Sequence, residues 1–152
     1  MDVDGTLTDG SINISPSGEL FKVFNVKDGM GIKMLQDSGI HTAIITGRSS
    51  EIVSFRAKEL HINDVLQNIS DKKKVLTRLM TKYGSSSDET VYVGDDINDL
   101  EAMSSVKYSF CPADATPLVK NNVWGVLESK GGKGAIRECV EWVLEHNSVN
   151  NF

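Results

Sequence analysis

The sequence predicts an α/β fold: a doubly wound parallel sheet of the Rossmann-like kind, with one β-hairpin inserted. Three observations predict it. Short apolar runs alternate with helical patterns along most of the chain, the signature of βα units and a parallel sheet covered on both faces. Residues 10–26 break that alternation and read as two strands around a tight turn. The unusual polar residues all fall directly after strand candidates, where ligands of an open α/β sheet bind.

The elements follow in order. In "MDVDGTLTDG" a single residue precedes the first aspartate. A central strand so short would bury little apolar area, so the chain is expected to continue upstream of Met1. "GSINISPSGELFKVFNV" (10–26) turns at Ser15-Pro16-Ser17-Gly18, residues that favour turns. "KDGMGIKMLQDSG" (27–39) is a helix with two glycines in its first turn. Each costs about 1 kcal/mol against alanine, so close backbone approach is expected there. "HTAIIT" (41–46) is β-rich, and residues 49–61 form a helix after a serine cap. "DVLQ" (64–67) is a short strand. Residues 70–84 place Val75, Leu76, Leu79 and Met80 on one stripe, capped by Ser70 or Asp71 and stopped by Gly84. "TVYVGDD" (90–96) is an apolar strand running into acids; "INDLEAMSSV" is a short helix; "YSFC" and "WGVL" (124–127) are strands; a helix over about 134–146 closes the chain.

Composition narrows the function. The 152 residues suit one domain, 1–152. With 39% hydrophobic and 24% charged residues the chain reads as globular. A net charge of −5 and a pI near 5.2 argue against nucleic acid as a partner, yet leave room for a small anion in a local basic pocket. Cys111 and Cys139 lack metal or redox spacing and are expected as free thiols in a reducing cytoplasm. No apolar run approaches the ~20 residues of a membrane span, and the acidic start is unlike a secretory signal.

Each polar cluster has an ordinary reading. Asp-x-Asp-Gly-Thr suits a solvated turn, Thr46 a cap, three lysines a solvated helix face, and Gly94-Asp95-Asp96 a strand-to-helix cap. Their joint order is what points to chemistry. Acids, a hydroxyl, a lysine and more acids each follow a different strand. Clustered carboxylates are tolerable around a divalent cation, and hard oxygens suit Mg²⁺, which also binds phosphate. One aspartate can attack phosphorus; a second, two residues on, can protonate the leaving oxygen and then deprotonate water. A hydroxyl and an ammonium stabilise the equatorial oxygens.

Asp2-Val3-Asp4-Gly5-Thr6, Thr46, the lysine near 72 and Gly94-Asp95-Asp96-Ile97-Asn98-Asp99 together resemble the four motifs of the haloacid dehalogenase superfamily. The resemblance implies Asp2 as nucleophile, Asp4 as general acid/base, and Thr46 and one lysine as phosphate ligands. It implies Mg²⁺ held by the Asp2 carboxylate, the Asp4 carbonyl and Asp95, with Asp96 and Asp99 orienting waters. Helix phase selects the lysine: position 72 shares a face with Leu76 and Leu79, and position 74 with Arg78. Lys72 is therefore expected at the phosphate ahead of Lys73.

"LTDG", the hairpin, "KDGMGI", "TGRSS" and "KGGKGAIRE" (130–138) further resemble the capless 3-deoxy-D-manno-octulosonate (Kdo) 8-phosphate phosphatase subfamily of lipopolysaccharide precursor synthesis. Relatives acting on nine-carbon sialate or deaminated sialate 9-phosphates, and a weakly active scaffold domain of cytidylyl-sialate synthetases, are the alternatives. A phospho-accepting receiver domain has a different motif order. A sugar-acid phosphate carries a carboxylate, for which Arg48, Lys133 and Arg137 are candidates, with Gly47 as a further substrate-binding residue. The resemblance also implies a homotetramer in which the hairpins, with Ile12, Ile14, Leu20, Phe21, Val23 and Phe24, pack together and complete each other's sites.

Overall fold

The structure is a computed structural model and describes residues 1–149; the last three positions of the expected 1–152 unit lie outside the described residues. Its framework is a parallel sheet. Strand β3 (Ala43–Ile45) pairs with β4 (Asp64–Leu66), and β5 (Val91–Val93) pairs with β6 (Tyr108–Cys111), which pairs with β7 (Gly125–Val126). The backbone of Met1 and Asp2 joins the two halves. The Met1 nitrogen donates to the Ala43 carbonyl and Ile45 N–H to the Met1 carbonyl, each at 3.0 Å, while Asp2 N–H reaches the Val93 carbonyl at 3.0 Å. The order across the sheet is therefore β4, β3, the Met1–Asp2 segment, β5, β6, β7. The chain departs from the central segment toward β3 first and later crosses to β5. That makes the carboxyl end of Met1–Asp2 a topological switch point, the place where such sheets bind ligands.

Alternation along the strands builds two cores, because successive side chains point to opposite faces. Ile44, Val93 and Phe110 lie in one buried cluster with Val3, Ile32 and Leu35 of α1 (Val26–Asp37), Val53 of α2 (Glu51–Glu59), and Ile136 and Val140 of α6 (Ala135–Val149). Ile45, Tyr92 and Cys111 lie in the other with Leu76 and Leu79 of α3 (Lys72–Tyr83), Met103 of α4 (Leu100–Met103) and Val119 of α5 (Pro117–Lys120). Helices on both faces make the expected doubly wound sheet. The four-residue α5 was not anticipated; one helical turn is too short to show a period.

Caps set the helix starts. Asn25, Ser50 and Asp71 accept backbone N–H bonds at the first turns of α1, α2 and α3, and Gly84 closes α3 in the left-handed conformation. The glycines of α1 serve helix packing: a Cβ on Gly29 would lie 2.6 Å from an Arg56 nitrogen, and one on Gly31 3.2–3.4 Å from Arg137 and Val140. The expected close approach is real, and its partners are α2 and α6.

The hairpin is shorter than 10–26. Its paired strands are β1 (Asn13–Ser15) and β2 (Gly18–Phe21), with an irregularity between Asn13 and Ile14. Ile12, Ile14, Leu20, Phe21 and Val23 are exposed, as expected. Phe24 is not part of that patch. It packs against the core, with the Arg56 guanidinium 5.8 Å from its ring centroid, because the chain has by then turned toward the α1 cap at Asn25.

Candidate active site

Every carboxylate group of the proposed chemistry sits at the carboxyl end of the sheet. Asp2 ends the central segment, and the next residues fold into a tight turn in which Thr6, Leu7 and Thr8 N–H groups converge on the Val3 carbonyl at 2.8–3.1 Å. That turn is seated on the loop after β5: the Thr6 hydroxyl donates to Asp95 at 3.0 Å. From the far side the loop 130–134 presses on it, with Gly132 N–H bonded to the Thr6 carbonyl at 3.0 Å.

Lys72 opens α3 and is 2% exposed. Its ammonium lies 3.0 Å from Asp2 Oδ2 and 2.7 Å from Asp99 Oδ1. Lys73 and Lys74 are exposed, so the helix-phase reading selected the buried lysine. Asp99 is saturated with donors: the Tyr92 hydroxyl at 2.8 Å, and the backbone N–H groups of Asp95 and Asp96 at 3.2 and 3.4 Å. It holds Lys72 and the Asp95 loop in place. Asp96 is exposed and caps the turn that follows.

Three carboxylates, Asp2, Asp95 and Asp99, offer oxygens within 4.8 Å of one another. Burial, then the charges of Asp2 and Asp99, push Asp95 up to about 7. Burial and Asp99 also raise Asp2, against the pull of Lys72. Burial alone would lower Lys72, but the two aspartates outweigh it and hold the ammonium charged. Asp2 Oδ1 is buried and has no hydrogen-bond partner. An orphaned buried oxygen beside a carboxylate kept partly protonated by its neighbours is the donor set of a hard divalent cation. With Asp99 committed to four donors, Asp2 and Asp95 are the side chains left to ligate Mg²⁺.

Asp4 faces the mouth. Its Oδ1 lies 2.5 Å from Lys22 Nζ of the hairpin, and its Oδ2 3.7 Å from Arg48 Nε. Lys22 also lies 3.0 Å from Glu19, whose carboxylate accepts from the Ser50 hydroxyl. Sequence reading passed over Glu19 and Lys22: an acid and a base three apart on a ribbon look like solvated decoration. Thr46 directly follows β3, buried, with its backbone bonded to Leu66 and Ile69; its hydroxyl has no partner among the described residues and is free for an anion. Gly47 follows, where a Cβ would lie 3.7 Å from the Ile69 carbonyl oxygen and 3.8 Å from the Asn98 amide nitrogen. Arg48 is therefore brought to the site. Lys133 and Arg137 are not: among the described residues neither contacts the acidic cluster. Lys133 is exposed in its turn. The Arg137 guanidinium pairs with Glu141 at 2.7 Å, and its stem lies against Gly31. The segment's contribution to the site is instead the pair Gly131-Gly132 and the anchor Asp28, a buried acid that accepts from Gly134 and Arg137 N–H at 3.3 and 2.9 Å.

Comparison with known proteins agrees with this geometry. A family profile described as haloacid dehalogenase-like hydrolase matches residues 53–137. The 3-deoxy-D-manno-octulosonate 8-phosphate phosphatase KdsC of Haemophilus influenzae is 42% identical over 144 residues, 95% of this chain and 80% of the relative; that of Escherichia coli K12 is 40% identical, over 95% and 77%. The cobalt-bound H. influenzae phosphatase superimposes with a TM-score of 0.94 at 41% identity, covering 97% of this chain and 86% of that one. The Moraxella catarrhalis enzyme, in complex with magnesium, phosphate and KDO, superimposes at 0.91 with 39% identity, covering 95% and 83%. Mg²⁺ is the cofactor that both the acidic donor set and this relative indicate. The protein is thus a phosphatase and belongs to the haloacid dehalogenase-like hydrolases, in the group of the 3-deoxy-D-manno-octulosonate 8-phosphate phosphatases.

Proposed function

We propose that the protein is a Mg²⁺-dependent phosphomonoesterase that releases phosphate from Kdo 8-phosphate in lipopolysaccharide precursor synthesis. The observation that carries the chemistry is Asp2: buried, gripped on one oxygen by Lys72, with the other oxygen unpartnered. The substrate reading rests on relatives named for Kdo 8-phosphate at 40–42% identity over nearly the whole chain. The magnesium-, phosphate- and KDO-bound relative adds to it.

The chain's own residues divide the work as follows. Asp2 attacks phosphorus; the ester P–O bond breaks and an aspartyl phosphate forms on Asp2. Asp4 gives its proton to the departing alkoxide oxygen. As a carboxylate it then takes a proton from water, whose oxygen attacks the phosphorus and frees phosphate and Asp2. The Thr46 hydroxyl, the Gly47 N–H and the Lys72 ammonium bind the transferring oxygens, and Asp99 keeps Lys72 aimed. Asp2, the Asp4 carbonyl and Asp95 would hold Mg²⁺, which supplies charge neutralisation between nucleophile and phosphate. Arg48 at the mouth receives the sugar carboxylate.

The unit is a single phosphatase domain of a cytoplasmic homotetramer. Two buried free thiols, Cys111 and Cys139, suit a reducing compartment. The exposed apolar residues of the hairpin beside the site suit burial by other subunits. No helix of the described residues is long and apolar enough to cross a membrane. The test is turnover of purified protein with Mg²⁺ on Kdo 8-phosphate, sialate 9-phosphate and deaminated sialate 9-phosphate. The highest kcat/KM is expected on Kdo 8-phosphate; a preference for either nine-carbon acid would reject the substrate assignment.

A further inference from the structure

We infer that Lys22, delivered by the hairpin, is a positioning residue for Asp4: it holds the carboxylate where a proton can pass to the leaving oxygen and then from water. The inference rests on the acid/base role proposed for Asp4. Four observations carry it. The Lys22 side chain is only 2% exposed although it directly follows the last residue of a two-stranded ribbon, and its ammonium lies 2.5 Å from Asp4 Oδ1. The Asp4 carboxylate receives no hydrogen bond from its own loop; its partners among the described residues are Lys22 and, at 3.7 Å, Arg48. Arg48 is half-exposed and so holds loosely. Lys22 is itself fixed from behind by Glu19 at 3.0 Å, and Glu19 by the hydroxyl of Ser50, the cap of α2.

Physical cost makes this arrangement informative. Immobilising a lysine side chain forfeits up to about 2 kcal/mol of rotamer entropy, and burying its charge costs several more unless it is paired. A hairpin serving only as a cover has no need of such a residue, and an apolar side chain would seal the mouth better. Here the buried charge lies on the carboxylate that must move protons. Without it, Asp4 has no close partner to select one rotamer, and the fraction of time it spends in line with the leaving oxygen falls. The hairpin thereby becomes part of the reaction geometry of its own subunit.

The test exploits leaving groups. A departing phenolate of low basicity needs no proton in the first step, whereas a basic one does. Full-length enzyme with Mg²⁺ is assayed on aryl phosphates from 4-nitrophenyl to phenyl, for wild type, Lys22→Met, Lys22→Arg and Asp4→Asn. Melting curves confirm that each is folded, and Lys22→Gln replaces Lys22→Met if the latter is not. In Lys22→Met, kcat/KM for phenyl phosphate is expected to fall at least about tenfold and that for 4-nitrophenyl phosphate to stay within about threefold, with Lys22→Arg restoring most of the loss. An equal fall across the series, or a rise in KM with kcat preserved, would overturn the inference. Asp4→Asn separates the two levels. If it shows no leaving-group dependence, the acid/base role itself fails; if it does and Lys22→Met does not, only the positioning role fails.

Discussion

Substituting Gly131 by alanine tests whether the loop 130–134 holds the catalytic turn in place. A Cβ at Gly131 would lie 1.9 Å from the Gly5 carbonyl oxygen, 2.6 Å from its carbon and 2.9 Å from the Thr8 carbonyl oxygen. Non-bonded carbon and oxygen sit about 3.3 Å apart or more, so the two segments must separate by roughly 1.4 Å. All three clashing atoms are backbone, and no side chain can rotate away. The displaced Gly5 atoms lie one residue from Asp4 and three from Asp2. A misplacement of about 1 Å at a reacting group costs about 10²-fold in rate, and forced overpacking costs about 1–3 kcal/mol of stability. Gly131→Ala is therefore expected to lower kcat about 100-fold on 4-nitrophenyl phosphate and to lower the melting temperature. Gly39→Ala is the control. Gly39 has positive φ, +79°, unlike Gly131, and nothing lies within 4 Å of its Cβ position. It should lose about 1 kcal/mol of stability to backbone strain and keep its kcat. If Gly131→Ala retained kcat within about threefold of wild type, the loop would not be what positions the catalytic turn, and the reasoning would fail.

Asp2→Asn should abolish turnover with the fold intact, because an isosteric amide cannot attack phosphorus; near-wild-type rates would reject the mechanism. Arg48→Ala should impair Kdo 8-phosphate more than a simple sugar phosphate, whereas Arg137→Ala should chiefly lower the melting temperature by releasing Glu141 and the α1–α6 packing; equal losses on both substrates for Arg48→Ala would remove it as the carboxylate partner. Phe21→Asp should dissociate the assembly in light scattering while Phe24→Asp unfolds the subunit, since Phe21 is exposed and Phe24 packs on the core; a wild-type monomer with full activity would sink the tetramer. Asp95, held up to about 7 by burial and by Asp2 and Asp99, keeps its proton in the metal-free enzyme below that pH. A raised carboxylate makes the metal-free fold lose stability as pH rises through the window from the ordinary carboxylate range to about 7. Mg²⁺ must expel that proton, so calorimetry should show binding about tenfold weaker near pH 6 than near pH 8, with proton release at the lower pH. Equal affinity at both would show that Asp95 is not a ligand.

The sequence by itself determined the alternation of elements, the doubly wound sheet and which side chains of the candidate site gather at one sheet edge. Strand and helix periods are local, and the functional acids, hydroxyl and lysine follow strands, where a parallel sheet gathers them at one edge. Helix phase alone separated Lys72 from Lys73, because burial on α3 follows the same stripe as Leu76 and Leu79. What only the tertiary structure decided are the pairings across segments distant in the chain. Lys22 on Asp4, 18 positions apart, and Asp28 on Arg137 N–H, 109 apart, leave no periodic trace. The same holds for Arg137, whose position beside "GGKGA" suggested a ligand. Its helix turns the guanidinium toward Glu141 and the glycine-lined face of α1. Local pattern fixes which face of an element is buried; which charge meets which depends on the path of the chain between them. The hairpin shows both. Its exposed apolar residues were legible from their spacing, but the turn of Phe24 into the core and of Lys22 into the site depends on how the ribbon leaves the sheet.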